Sequence, residues 1–309
     1  MKRNVAGMAI GALTFIVIVG ATRSAPSADG PVIQIDDVGR FYRVYDAAGG
    51  HPSADALQHD YIDPGSDGLH HLAKVRNVTG VTIADAIAKR PELYTGARQG
   101  MDVLPRVRER LAVAFLKLVQ LYPEAKTPPV TIVVGRGRPV AIGSPNGEGT
   151  QIGLEALCAV TWLNPNLEDR FVHVIAHEFA HVQQSPALMN NEHPTVLDLS
   201  VIEGSAEFVA ELTSGDVGYS QFKTSTKGHE TEIESAFVAD EDKTDLSNWF
   251  NNSTIEKPGD LGYWVGYRIA KSYYQHATDK RVALREILQM TDPKALLAKS
   301  GWSPGMRLQ

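Results

Sequence analysis

Between Phe171 and Gln184 the chain reads Phe-Val-His-Val-Ile-Ala-His-Glu-Phe-Ala-His-Val-Gln-Gln, which places the pattern H-E-x-x-H inside a helix. Residues four apart on a helix project from one face, so His177 and His181 are able to share one cation. Glu178 is turned from His177 by about 100°, near enough to address water beside that cation. Two neutral imidazoles and a carboxylate suit Zn2+ and leave a fourth position open. The competing reading is an ordinary amphipathic helix with two hydrogen-bonded histidines.

A second acidic helix weighs against that competitor. Leu197 to Leu212 contains Glu203-Gly-Ser-Ala-Glu207, with the two carboxylates four apart on one face. Gly204 and Ala206 keep this surface slim, so the helix is expected to approach the H-E-x-x-H helix closely and offer Glu203 as the third ligand. Glu207 is expected to orient a ligand histidine. His173, one turn before His177, sits too far along the axis to ligate the same ion and is read as buried support. His193 competes with Glu203 as third ligand, and the His70-His71 pair is read as surface.

A helix bearing H-E-x-x-H followed by one bearing E-G-x-A-E resembles the gluzincin metallopeptidases. Further stretches extend the likeness: Tyr61-Ile-Asp-Pro-Gly-Ser-Asp-Gly-Leu69, Pro128-Pro-Val-Thr-Ile-Val-Val-Gly135, Ile152-Gly-Leu-Glu155 and Gly262-Tyr-Trp-Val-Gly-Tyr-Arg268. Together they resemble a bacterial family of predicted Zn-dependent proteases, over most of the chain beyond its first residues. The resemblance implies one zinc per chain on His177, His181 and Glu203, with Glu178 as general base. It also implies a zincin-like fold and a peptide or protein substrate, hydrolysed by metal-activated water.

Hydrolysis of a peptide bond needs a donor for the developing oxyanion besides the metal. Tyr263 and Tyr267, four apart on the predicted helix Leu261–Ala270, are candidates, with Arg268 and His229 behind them. Packing against the core is the alternative role for either tyrosine. Gln151 to Glu155 reads as a strand, either internal or a sheet edge that pairs with an extended peptide.

The rest of the chain reads as α+β: mainly helical, with a small central β-sheet and the H-E-x-x-H helix as active-site helix. Short strands are expected at Val32–Ile35 and Val130–Val134 and helices from Asp36 or Asp37, near 68–77, near 82–90 and over Val103–Leu121. Pro105 is placed in the first turn of that last helix, and Tyr61–Gly68 is read as a turn-rich loop. A two-lobed variant with a cleft near residue 185 is kept beside the single-domain reading.

Lys2 and Arg3, the apolar run Val5–Gly20 and the small residues Ala21–Ala28 have the order of an export signal. Residues 1–28 are therefore expected to direct export to a bacterial periplasm or beyond, with cleavage after Ala21 or Ala28. Their alternative role is an N-terminal anchor, the one route by which a membrane enters the picture. Residues 29–309 form the expected zincin-like metallopeptidase domain. The net charge of −6 argues against a nucleic-acid partner. Cys158 is the sole cysteine, so no intramolecular disulfide forms, and it reads as a small buried hydrophobe. Two other readings stand beside the enzyme: a non-catalytic zinc-binding scaffold of the envelope, and an exported binding protein in which the motif is accidental.

Overall fold

Val-Thr-Ile-Val at 130–133 is rich in β-branched residues, which fit a pleated surface, and all four are buried. The computed structural model describes residues 31–143, 149–253 and 259–308. In it, this run is one strand of a mixed sheet of four: β1 (Ile33–Gln34), β2 (Val130–Val133), β3 (Ala141–Gly143) and β4 (Thr150–Gly153). The spatial order is β1-β2-β4-β3. β1, β2 and β4 run parallel, with Val130 opposite both Ile33 and Thr150. β3 is antiparallel to β4, with Ala141 opposite Ile152 and Gly143 opposite Thr150. β4 is therefore internal, and the edge strand on its side of the sheet is the half-buried β3. Of the two roles open to Gln151–Glu155, the internal one is the one observed.

That strand also ends earlier than the sequence suggests. Leu154 opens a short helix, Leu154–Ala159, which brings the buried Glu155 carboxylate onto the loop after β2. There it accepts hydrogen bonds from Gly135 N–H at 3.0 Å and Gly137 N–H at 2.8 Å. Desolvation pushes the Glu155 carboxyl above its usual range, and those two donors pull the other way. A carboxylate that organises a neighbouring loop has no periodic signature in sequence.

The helices before β2 follow their capping residues. Ser66 caps Asp67–Arg76, and Thr79 and Thr82 form a capping box for Gly80–Lys89. Pro91 opens the next helix, Pro91–Gly96, at its first position. The long helix spans Arg98–Leu121, so Pro105 lies inside it and not in its first turn. The added turn at its N-terminus costs the hydrogen bond that Pro105 has no N–H to make. Tyr61 is the other departure: it lies within a π-helical turn, Leu57–Ile62, and is wholly buried. Its hydroxyl donates to Val134 O at 2.6 Å and accepts from Val134 N at 2.9 Å. The turn chemistry of Pro64 and Gly65 is confined to the short link before Ser66.

The core falls into two apolar clusters. The first joins the N-terminal helices, the sheet and the H-E-x-x-H helix, through residues such as Phe41, Tyr94, Phe115 and Phe179. The second gathers Val201, Phe237, Trp249, Trp264 and Trp302. The helix Val196–Ser214 contributes to both, crossing Leu167–Gln183 on one side and Leu261–His276 on the other. The slim residues act at the second crossing. Gly204 faces Gly266 and the Tyr267 backbone, and a Cβ on Gly266 would sit 1.7 Å from Ser200 O. The glycine expected to admit the H-E-x-x-H helix thus admits the tyrosine-bearing helix. Among the described residues no helix is long and apolar enough to cross a membrane. The expected export segment, residues 1–28, lies outside the described residues.

Two measurements check this packing. Gly266→Ala is expected to destabilise the fold by about 1–3 kcal/mol through overpacking, read as a lower denaturant midpoint with unchanged slope. An unaltered midpoint would mean the helices are not in backbone contact. Cys158 is buried and its thiol is pushed up to about 12 by desolvation. At pH 8 it should resist alkylation in the folded chain and react readily once denatured.

Candidate metal centre

The helix Leu167–Gln183 is buried along most of its length, because its polar residues find partners inside the protein. Asn166 caps it, accepting from Asp169 N at 3.0 Å. Arg170 is fully buried and donates to the carbonyls of Asn164, Leu157 and Cys158, tying the helix to the end of Leu154–Ala159. The partner helix Val196–Ser214 starts on a Thr195–Asp198 capping box and stops at Gly215, whose φ of 100° suits glycine. These anchors set the rotation of both helices about their axes, and hence which atoms meet between them.

His177, His181 and Glu203 meet there. The two imidazole Nε2 atoms are 3.1 Å apart, and Glu203 Oε2 is 3.3 Å from each. Donor atoms held at 2.0–2.1 Å around a tetrahedral ion would be about 3.3 Å from one another. The trio therefore matches a Zn2+ donor set in both chemistry and spacing, and these are the His, Glu and Asp groups that cluster among the described residues.

Each ligand histidine is also oriented from behind. Gln184 Oε1 accepts from His181 Nδ1 at 2.7 Å, and Gln184 Nε2 donates to Ile202 O at 2.6 Å, linking the two helices. His177 Nδ1 lies 2.8 Å from Glu207 Oε1, close but off the hydrogen-bond line. With the proton on Nδ1, the Nε2 lone pair of both rings is free to bind a metal. Gln184 carried no signal in the sequence, since a glutamine at the end of a helix is usually solvated.

The electrostatics favour positive charge at this point. Burial disfavours protonated His177 and His181, yet Glu207 and Glu203 outweigh it at His177, and Glu203 outweighs it at His181. Both imidazoles are thereby raised above their ordinary value. Burial likewise disfavours ionised Glu203, but His181 and His177 hold its carboxyl far below the carboxylate range. A divalent ion bound there would take the place of those protons without requiring a different arrangement of charge.

The remaining predicted residues separate clearly. Glu178 borders the cavity, its carboxyl raised by burial and eased by His181, His177 and the Gly143 N–H of β3. Gly143 is there because a Cβ would lie 1.9 Å from the Glu178 carbonyl oxygen. Tyr263 stacks on His177, ring centroids 6.0 Å apart, and borders the same cavity. Tyr267 points elsewhere, its hydroxyl accepting from Lys271 Nζ at 2.9 Å. Arg268 pairs with the buried Glu234, and His229 is exposed beside Glu232. His173 is buried against Ser214 Oγ at 2.8 Å, and His193 is exposed in the loop before the second helix. Tyr219 was missed: it stacks on Tyr263 at 4.5 Å and donates its N–H to Glu207 at 3.3 Å. Only its place shortly after the Glu207 helix could have pointed to it.

The cavity in front of these groups measures about 360 Å³. It is lined by β3, by the apolar Val160, Trp162, Leu163 and Val174, and by Arg76.

Residues 141–293 match the family described as Predicted Zn-dependent protease (DUF2268), just under half of the chain. No curated protein and no solved structure gave a match.

If Glu207 orients His177, Glu207→Gln should weaken zinc binding by about 10–100-fold, measured by competition with a chromophoric chelator. The fold, followed by circular dichroism, should be retained. Unchanged affinity would reduce Glu207 to a packing residue.

Proposed function

We propose, from the premise that residues 141–293 belong to a family of predicted Zn-dependent proteases, that this chain hydrolyses peptide bonds as a zinc metallopeptidase of gluzincin type. The observation that carries this reading is the convergence of His177 Nε2, His181 Nε2 and Glu203 Oε2 within 3.3 Å of one another, with Glu178 beside them on a cavity. Those three residues would hold one zinc ion. Bound there, zinc supplies Lewis acidity toward a carbonyl oxygen and toward water.

The chain's own groups divide the remaining work. Glu178 accepts a proton from the attacking water on a carboxylate oxygen and passes it to the departing amine. Gly143 N–H, beside that carboxylate, favours its ionised form. Tyr263, a phenol that is protonated at neutral pH in any case and is raised further by burial, donates to the oxyanion as it develops. Tyr267 is given no such part, since it does not line the cavity that Tyr263 borders. The free side of β3 borders the cavity, so an extended substrate pairs there by main-chain hydrogen bonds. Residues 1–28 would direct this activity outside the cytoplasm, in keeping with their charge and apolar order.

Glu178→Gln separates binding from chemistry. It should keep its zinc and lose turnover of a protein substrate such as casein by at least about 100-fold. Zinc retained with undiminished hydrolysis would rule out Glu178 as the base. A wild-type chain that binds zinc yet cleaves neither casein nor a mixed peptide library would favour a zinc-binding scaffold.

A further inference from the structure

Arg76 is the last residue of Asp67–Arg76, which Asn77 closes in the left-handed conformation at φ 50°. Its carbonyl accepts from Arg136 Nε at 3.0 Å. Two chain segments thus fix the root of a side chain that is exposed and borders the metal-centre cavity. Among the described residues, no carboxylate lies within ion-pair reach of its guanidinium. Arg76 is the arginine that lines this cavity, whereas Arg106 and Arg110 bind Glu168 and Arg268 binds Glu234 away from it.

The acids bordering the cavity already have partners. Glu203 lies against both histidine Nε2 atoms, Glu207 against His177 Nδ1 and Tyr219 N–H, and Glu178 takes the Gly143 N–H. The apolar residues Val160, Trp162, Leu163 and Val174 line the same cavity. The cavity therefore offers an incoming molecule an apolar surface and a cation with unused donors. A guanidinium presents a planar fork of N–H groups that matches a carboxylate in two parallel hydrogen bonds.

We infer that Arg76 is a specificity residue which binds a carboxylate of the substrate, either its C-terminus or an Asp or Glu side chain. This rests on the peptidase reading and narrows its substrates to peptides that combine an apolar residue with a negative charge. Arg76 lies outside residues 141–293, so the selectivity would come from the N-terminal helices and the catalytic groups from the later ones.

The test uses binding, so that it does not depend on turnover. Full-length zinc-loaded Glu178→Gln protein is immobilised and offered N-acetylated hexapeptides of randomised sequence, made as free acids or as C-terminal amides. Retained peptides are identified by mass spectrometry. Enrichment of free acids over amides assigns the C-terminus; enrichment of Asp and Glu over Asn and Gln among the amides assigns a side chain. Either preference should be roughly tenfold or more, as expected for hydrogen bonds to a charged group. Adding Arg76→Gln should abolish it while leaving the choice among apolar residues intact, and Arg76→Lys should restore part of it. Absence of both preferences, or a preference that survives Arg76→Gln, overturns the inference. Cleavage by the wild-type chain is scored separately. Arg76-dependent capture without Glu178-dependent cleavage would defeat the peptidase reading while upholding Arg76 as the carboxylate-binding residue of the cavity.

Discussion

Three polar atoms that meet at 3.1–3.3 Å between two mostly buried helices form the constraint around which the rest is arranged. Taking His177, His181 and Glu203 out of water is costly, and a buried charged group persists only when it is paired and hydrogen-bonded. Gln184 and Glu207 supply that support from behind the rings. They act from both helices: Gln184 follows the H-E-x-x-H helix and binds Ile202 O on the other, whereas Glu207 reaches back from the second helix to His177. The same bonds that hold the imidazoles therefore hold the helices in register.

Close approach on the far side of the Glu203 helix completes the frame. Gly204 and Gly266 bring the tyrosine-bearing helix into backbone contact, which sets Tyr263 against His177 and Tyr219 against Tyr263. On the near side, Gly143 lets the edge strand β3 lie directly across the H-E-x-x-H helix. The loop leading into β3 is held by Glu155, by Tyr94 through Gly135 O, and by Arg90 through Arg136 O. Apart from Arg76, which lines the cavity itself, the N-terminal helices reach the candidate metal site indirectly, by fixing the strand that flanks it.

Much of this was legible where local periodicity carried it. The H-E-x-x-H helix, the Glu203 helix and the buried β2 strand all follow from spacing and side-chain type over a few turns. The mainly helical α+β class with a small sheet followed as well. What escaped depends on contacts between segments far apart in sequence. Glu155 bends the chain after β4 to reach a loop on another strand, Tyr61 is buried for a bond to Val134, and Gly204 faces a helix that begins at Leu261. Tyr219 and Gln184 carry no motif, because a tyrosine in a turn and a glutamine at a helix end are ordinarily surface residues. Helix periodicity made Tyr263 and Tyr267 look equivalent; the structure separates them by what lies around each hydroxyl.

The proposed chemistry requires metal at the meeting point of the two helices. Its most direct test is the metal content of the purified full-length chain, measured by plasma mass spectrometry for wild type and for His181→Ala. One equivalent of zinc in the wild type, lost in the variant while circular dichroism still reports a folded helical protein, is the predicted result. A wild type that takes up no stoichiometric metal after reconstitution with zinc would contradict it, and the convergence of His177, His181 and Glu203 would then be a buried polar network alone.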